Sequence, residues 1–210
     1  MTEQLEAEPA AAAKLFGDRI ELARQFTHDL ATYGEELGLI GPLELPRLWT
    51  RHVVNSALVA PLIWTGARVS DVGSGAGLPG LPLAIARPDA RFILIEPMER
   101  RVEWLTAEAE RLGLENVTVQ RARAEDVVLD AQVDQATARA VSALSKLIPW
   151  TAPMVRDGGQ LLFMKGERVQ AEIDAAAKAI RKARLSDIEV LLLGEEYDTE
   201  VTRVFRATVG

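Results

Sequence analysis

The sequence has no cysteine and only two histidines among its 210 residues. The absence of cysteine excludes disulfide bonds, thiolate zinc sites, iron–sulfur clusters and a cysteine nucleophile, and we expect no metal site. Apolar runs are short, and none approaches the roughly 18 consecutive residues that a membrane-spanning helix requires. The first residues, MTEQLEAEPAAAAK, are acidic where a secretory signal peptide is basic, so we expect a cytoplasmic protein.

Positive charge is also scarce, with 24 basic against 31 acidic side chains and a net charge of −7. This balance argues against a general binder of nucleic acids or anionic membranes. The basic residues are nevertheless concentrated, because residues 139–184 carry nine basic and four acidic side chains. Within that stretch, Lys178, Arg181, Lys182 and Arg184 are typical of a solvated helix face, or they extend a basic binding surface.

Short β-branched runs alternate with helical segments from residue 68 onward, as in a parallel sheet covered by helices on both faces. The predicted strands are 68–72, 91–95, 117–120, 133–138, 159–164, 188–193 and 201–208, and the predicted helices are 18–37, 47–62, 79–86, 99–113, 143–155 and 167–184. The last two strands follow each other without a helix, so the last should run antiparallel. We predict a doubly wound α/β fold with a seven-stranded, mostly parallel sheet.

The chain divides into three predicted parts. Residues 1–17 form a flexible or helical extension, residues 18–66 a helical cap, and residues 67–210 the α/β domain. The length suits one domain with a short extension.

The first strand of the α/β domain leads into a glycine-rich turn, VGSGAGLPG (72–80). Glycines at such a turn allow positive φ angles and let a ligand approach the backbone. Glu96 closes the next strand, 25 residues after Asp71, which suits a carboxylate that binds the two hydroxyls of an adenosine ribose. The turn and Glu96 together predict a nucleoside site. The alternative is a tight turn without a ligand.

Spacing alone leaves two cofactors open. GAGLPG (75–80) also fits the dinucleotide pattern G-x-G-x-x-G. Asp71, two residues before the first glycine, would oppose a pyrophosphate but favours a cationic ligand such as S-adenosylmethionine. We therefore prefer S-adenosylmethionine, with Asp71 and Gly75 as cofactor-binding residues.

The segment DVGSGAGLPGLPLAI (71–85) resembles the cofactor motif of the bacterial 16S ribosomal RNA guanine-N7 methyltransferases, also called the glucose-inhibited division protein B family. The resemblance continues in RHVVNS (51–56), Ala124-Glu125, RAVS (139–142) and KGE (165–167), and it spans most of residues 47–168. The chain departs from the family before the Arg-His pair, where many members have Asn-Leu-Thr and this sequence has LIGP (39–42).

The resemblance implies a Rossmann-like class I methyltransferase that methylates N7 of one guanine in the decoding region of 16S rRNA, as RNA, 30S subunit or assembly intermediate. It implies that Gly73 and Leu78 line the cofactor pocket and that Ala124 and Glu125 meet the adenine. Arg139 should face both cofactor and target. We expect a monomer.

Guanine N7 has an in-plane lone pair and no proton to lose, so methyl transfer needs alignment and charge stabilisation rather than a general base. The sequence agrees, because it lacks cysteine and has Arg139-Ala140-Val141 where exocyclic-amine methyltransferases keep an Asn-Pro-Pro-aromatic segment. Arg139 is our candidate catalytic residue, through hydrogen bonds to guanine O6 or a phosphate. A salt bridge at the sheet edge is the alternative.

Four residues are candidate RNA contacts: Arg51, His52, Lys165 and Arg168. A histidine within a helix is often structural, and a lysine at a strand end is often a surface residue. The basic stretch 139–184 is expected beside the cofactor mouth. Two other functions stay open: a small-molecule methyltransferase, which would need an apolar acceptor pocket, and a nucleotide-binding module without methyl transfer.

Overall fold

The computed structural model describes residues 4–210 and contains a single seven-stranded sheet. The strands are β1 (Arg68–Val72), β2 (Arg91–Glu96), β3 (Val117–Arg121), β4 (Val133–Arg139), β5 (Val155–Lys165), β6 (Ser186–Leu193) and β7 (Thr202–Thr208). Every predicted strand is present. The largest difference is at β5, which begins four residues early because Val155 already pairs with Val133, and the register then shifts in a bulge that contains Gly158 at a φ of 74°.

The strand order is β3-β2-β1-β4-β5-β7-β6, and β7 pairs antiparallel with both β5 and β6, so it alone runs opposite to the other six strands. The predicted mostly parallel, doubly wound fold is therefore confirmed. Chain order reverses between β1 and β4, which pair in parallel. In open α/β sheets a ligand crevice forms at such a reversal, beyond the carboxyl ends of the strands.

The helices are α1 (Ala10–Phe16), α2 (Ile20–Tyr33), α3 (Asn55–Ala57), α4 (Gly80–Ala86), α5 (Glu99–Arg111), α6 (Leu144–Thr151), α7 (Val169–Ala175) and α8 (Ala177–Lys182). The segment before β1 shares one hydrophobic core with α4, α5 and one face of the sheet, whereas α6, α7 and α8 cover the other face. The predicted extension 1–17 contains α1, and its residues 1–3 lie outside the described part.

The prediction of one regular helix over 47–62 is wrong. A π-helix spans Leu48–Val54, continues into α3 and gives way to a 3₁₀ turn at Ala60–Leu62. Pro61 accounts for the ending, because it lacks the amide that a continuing helix needs. The π-helix carries Arg51 and His52, and such widened turns are frequent at functional sites.

The prediction of one helix over 167–184 is also wrong. The helix is interrupted at Ala176, so α7 and α8 are separate helices. The Ala176 side chain is buried at this interruption. Together they lead from the carboxyl end of β5 back to the amino end of the sheet, where Lys182 and Ala183 line a cavity of about 320 Å³ with Val155, the first residue of β5. Lys178, Arg181, Lys182 and Arg184 therefore do not lie beside the cofactor mouth.

Candidate functional site

The glycine-rich turn between β1 and α4 wraps over the end of β2. The amides of Gly73 and Ser74 donate hydrogen bonds to the carbonyl of Ile95, at 2.8 and 3.2 Å. Gly73 has a φ of 71°, and a Cβ there would lie 2.7 Å from the Val141 side chain. Glycine is required because any side chain would push Val141 away from the turn.

Asp71 lies fully buried beneath this turn and has no exposed surface. Its carboxylate accepts hydrogen bonds from the Gly80 amide at 3.1 Å and the Thr137 hydroxyl at 3.2 Å. A Cβ at Gly80 would lie 2.6 Å from Asp71 Oδ2, so the start of α4 is seated directly on the carboxylate. Burial raises the pKa of Asp71 to about 6. The structure places Asp71 as a support of the turn rather than on a ligand surface.

Glu96 connects the same turn to the chain that follows β2. One carboxylate oxygen accepts the Gly75 amide and the other the Met98 amide, both at 3.0 Å. A carboxylate oxygen can accept more than one hydrogen bond, so each retains capacity for a second donor. Glu96 also lines a cleft, from which the two hydroxyls of a ribose could donate hydrogen bonds to its carboxylate oxygens.

This cleft, the cofactor cleft, has a volume of about 590 Å³, within the roughly 300–1,000 Å³ range of small-molecule sites. It contains four residues that the sequence predicts, Gly73, Glu96, Ala124 and Glu125. Its other lining residues are Val72, Ile95, Pro97, Met98, Arg101, Ala122, Arg123, Ala140, Val141 and Trp150. An apolar wall beside a buried carboxylate fits the adenine and ribose of S-adenosylmethionine. Gly75 does not line the cleft itself, but its amide donates a hydrogen bond to Glu96, which does. Leu78 is half-buried and packs against the hydrophobic core.

A second cleft adjoins the first, and Ala140 and Val141 line both. We call it the acceptor cleft; its volume is about 810 Å³. It is lined by Arg51, Asn55, Arg139, Ser142, Ala143, Met164, Lys165, Gly166, Glu167, Arg168, Glu172, Glu200, Val201, Thr202 and Arg203, with the two shared residues. Ala140 has a φ of 54°, a conformation that residues other than glycine rarely adopt and that often marks functional sites.

Arg139, at the end of β4, carries the charge nearest the junction of the two clefts. It donates to the His52 carbonyl at 3.3 Å, the Ser56 hydroxyl at 3.2 Å and the His52 ring nitrogen Nδ1 at 2.8 Å. Burial lowers its pKa to about 10, so it stays protonated at neutral pH. Within residues 4–210 no carboxylate lies within 4 Å of its guanidinium. This half-buried cation is therefore available to an acceptor group in the cleft, and the alternative of a salt bridge at the sheet edge is not observed among these residues.

The four candidate RNA contacts occupy different positions. Arg51 and Arg168 are exposed on the acceptor cleft. Lys165 is largely buried and pairs with Glu172 at 2.6 Å and the Ser142 carbonyl at 2.9 Å. His52 lies behind Arg139, where it bonds Glu44, and only 13% of its side chain is exposed.

Several lining residues escaped prediction from the sequence. Arg203 enters the acceptor cleft because β7 pairs it with Lys165, a long-range register that no local pattern encodes. Trp150 is half-buried on the cofactor cleft. The Asn55 amide bonds the Thr202 hydroxyl and joins the π-helix segment to β7. Arg203 could have been suspected only from its place in the last strand.

Comparison with known proteins identifies the family. A family model described as rRNA small subunit methyltransferase G matches residues 19–201. The chain belongs to this family. It is 64% identical over 209 residues to Ribosomal RNA small subunit methyltransferase G of Leifsonia xyli subsp. xyli, covering 100% of both chains. It is 62% identical to the protein of that name from Clavibacter michiganensis subsp. michiganensis, covering 98% of this chain and 97% of the other.

Solved structures extend the likeness in fold. A predicted O-methyltransferase from Agrobacterium tumefaciens superposes with a TM-score of 0.60 at 19% identity, covering 74% of this chain and 80% of that one. The family member described here therefore has the Rossmann-like fold of the S-adenosylmethionine-dependent methyltransferases, and S-adenosylmethionine is its methyl donor. Within residues 4–210 no helix is long and apolar enough to span a bilayer, and no acidic, histidine or cysteine cluster suits a metal.

Proposed function

We propose that this chain methylates N7 of one guanine in 16S ribosomal RNA, presented in a folded small subunit or assembly intermediate. The observation that carries the proposal is the junction of the two clefts, where Arg139 offers a half-buried charge with no carboxylate within 4 Å among residues 4–210. The names of the relatives in Leifsonia and Clavibacter support small-subunit rRNA as the substrate.

S-adenosylmethionine, when bound, supplies an electrophilic methyl group. The chain's own residues hold the reactants and stabilise charge, because N7 already carries the attacking lone pair and no proton is removed. Glu96 would hold the ribose hydroxyls, and Ala124 and Glu125 would border the adenine. Asp71 contributes negative potential from beneath the turn, which favours a cationic ligand over a pyrophosphate.

Arg139 would meet the acceptor at the cleft junction. A guanidinium fork suits either guanine O6 or a phosphate oxygen. A hydrogen bond to O6 would orient the base so that N7 faces the cofactor cleft. We therefore assign Arg139 as the catalytic residue of the acceptor side.

The RNA backbone would be held by three arginines of the acceptor cleft, the exposed Arg51 and Arg168 and the half-buried Arg203. Neither Arg168 nor Arg203 has an acidic partner within 4 Å among residues 4–210. Lys165 is already paired with Glu172, so in our proposal it orders the Ser142 loop and Arg168 supplies the nearby phosphate contact. A basic rim of this kind disfavours an apolar small molecule as acceptor.

Methyl transfer from labelled S-adenosylmethionine to 30S subunits, naked 16S rRNA and assembly precursors tests the proposal, with 7-methylguanosine mapped in 16S rRNA from cells with and without the gene. We expect one 7-methylguanosine to disappear on deletion and label to enter a folded particle. An unchanged modification map would overturn the proposal. NAD binding without S-adenosylmethionine binding in calorimetry would favour a nucleotide-binding module instead.

A further inference from the structure

A chain of three side chains connects the helical segment before β1 to the acceptor cleft. Glu44 Oε2 lies 2.6 Å from His52 Nε2, and His52 Nδ1 lies 2.8 Å from Arg139 Nη2. Arg139 Nη1 also bonds the His52 carbonyl and the Ser56 hydroxyl. Both sides of the imidazole ring are therefore occupied by protein groups, and His52 is not placed to contact RNA.

The partners determine which ring nitrogen carries the proton. Arginine can only donate hydrogen bonds, so Nδ1 of His52 must be the acceptor and Nε2 must carry the hydrogen that it donates to Glu44. Burial and the charge of Arg139 lower the pKa of His52 although Glu44 opposes them, which keeps the ring neutral at neutral pH. Burial works against ionisation of Glu44, but hydrogen bonds from His52 and Arg47 hold its pKa below the ordinary value.

The neutral ring separates a carboxylate from a guanidinium. A carboxylate in direct contact with Arg139 would fix the side chain but would also neutralise its field and occupy its donors. An imidazole between them fixes the orientation while leaving the positive charge unpaired toward the cleft. Glu44 itself lies in the segment 39–46, near the point where the sequence departs from the family pattern, and is mostly buried.

We propose that Glu44 is a positioning residue that acts through neutral His52 to hold the guanidinium of Arg139 toward the methyl acceptor. This role rests on the proposed function, because the acceptor is the group that Arg139 would meet. Glu44 and His52 line neither cleft, and Glu44 also lies 3.9 Å from Arg51 on the rim of the acceptor cleft. Their removal should therefore misplace Arg139 without emptying either cleft, and misplacement by about 1 Å can lower a rate by roughly two orders of magnitude.

Steady-state methylation of 30S subunits separates positioning from binding. For Glu44→Ala we expect kcat to fall about 10-fold, with KM for the subunit and the Kd for S-adenosylmethionine within about 2-fold of wild type. Glu44→Gln should retain most of kcat, because its amide oxygen still accepts from His52. The kcat of His52→Asn should be higher than that of His52→Ala. The asparagine side-chain oxygen would lie near the position of Nδ1 and can accept a hydrogen bond from Arg139.

Glu8→Ala provides a matched control. Glu8 bonds Arg24 at 2.5 and 2.8 Å and is an exposed carboxylate of the same helical segment, away from both clefts. Thermal unfolding of all variants checks that each is folded, and Glu8→Ala should keep wild-type kinetics. If Glu44→Ala keeps wild-type kcat, or raises KM alone, the positioning role is wrong.

A second readout is independent of methyl transfer. The protein has two histidines, and exposed His28 serves as the reference for His52 in ¹⁵N spectra of the imidazole nitrogens. We expect His52 as the neutral ring protonated at Nε2, and in Glu44→Ala a shifted Nε2 resonance, because that N–H has lost its carboxylate acceptor. A ring protonated at Nδ1 in wild type would overturn the proposal even if methylation succeeds. If wild type methylates no rRNA while the Nε2–H ring is observed, the proposed function fails and the geometry stands.

Discussion

Two regions of the molecule concentrate positive charge, and their surroundings differ. The acceptor cleft gathers arginines from the π-helix, β4, β7 and the turn before α7, at the carboxyl end of the sheet. The second region is the α8 face, defined here as Lys178, Arg181, Lys182 and Arg184, which comes from one stretch of chain at the amino end. In the sequence, Arg139, Lys165, Arg168 and the residues of the α8 face belong to one basic stretch, 139–184. In the fold, the α8 face lies at the opposite end of the sheet from the acceptor cleft.

The difference shows what turns basic residues into a candidate site. The α8 face exposes its side chains to solvent, where salt screens them within about 8–10 Å. The acceptor cleft adds the half-buried guanidinium of Arg139 and a wall shared with the cofactor cleft. A phosphate or base held there would therefore lie beside a bound methyl donor, whereas one held on the α8 face would not.

The largest effect should follow from Arg139→Ala. The variant removes the charge that we place against the acceptor base, so kcat/KM for 30S subunits should fall about 10²- to 10³-fold. Arg206→Ala is the control, because Arg206 pairs with Glu189 on β6 and β7. Equal activity of Arg139→Ala and wild type in a methyl-transfer assay would show that the methyl acceptor does not bind against Arg139 in the acceptor cleft.

Glu96→Ala should weaken S-adenosylmethionine binding about 10- to 100-fold, since hydrogen bonds to a charged group contribute roughly 1.5–3 kcal/mol. Calorimetry measures the change. Glu99→Ala is the control, because Glu99 is exposed and pairs with Arg121 at the surface. An unchanged Kd for Glu96→Ala would place the cofactor elsewhere.

The triple variant Arg51→Ala, Arg168→Ala and Arg203→Ala should weaken subunit binding and reduce the salt slope of log K by about 2, at roughly 0.7 per lost phosphate contact. The matched variant Lys178→Ala, Arg181→Ala and Lys182→Ala removes three charges from the α8 face. Its affinity and slope should stay at wild-type values. Binding titrations at several salt concentrations measure both variants. If only the α8-face variant lost affinity and salt slope, the RNA would bind the α8 face and not the acceptor cleft.

A change away from both regions should alter stability and leave methylation unchanged. Glu108 is buried on α5, and burial together with the charge of Asp29 raises its pKa to about 7 although Arg111 opposes. The folded-state pKa exceeds the unfolded value, so the stabilising contribution is complete below pH 4.5 and is lost as the pH rises through 7.

Glu108→Gln should therefore raise the free energy of unfolding on the order of 1 kcal/mol at pH 8 and have little effect at pH 4. Urea unfolding at both pH values measures it. Greater stabilisation at pH 4 than at pH 8 would contradict the assigned protonation.

The sheet was predictable from the sequence because each strand is a short run rich in β-branched residues. The glycine-rich turn was predictable because its glycines are close together in the sequence and directly follow a predicted strand. The glycine-rich turn and Glu96 were found from spacing, whereas the roles of Gly73, Ala124, Glu125 and Arg139 came from the family resemblance. Asp71 was predicted to bind cofactor, and its burial beneath Gly80 depends on how α4 packs. Arg203 and Glu44 join the site through long-range contacts, so no local pattern could reveal them.

Photochemical crosslinking of the wild-type protein to 30S subunits, with the crosslinked peptides identified by mass spectrometry, tests most directly where the substrate lies. We expect crosslinks in peptides that contain Arg51, Arg168 and Arg203, and none in the α8 face. Crosslinks confined to the α8 face, with the acceptor cleft unlabelled, would contradict it.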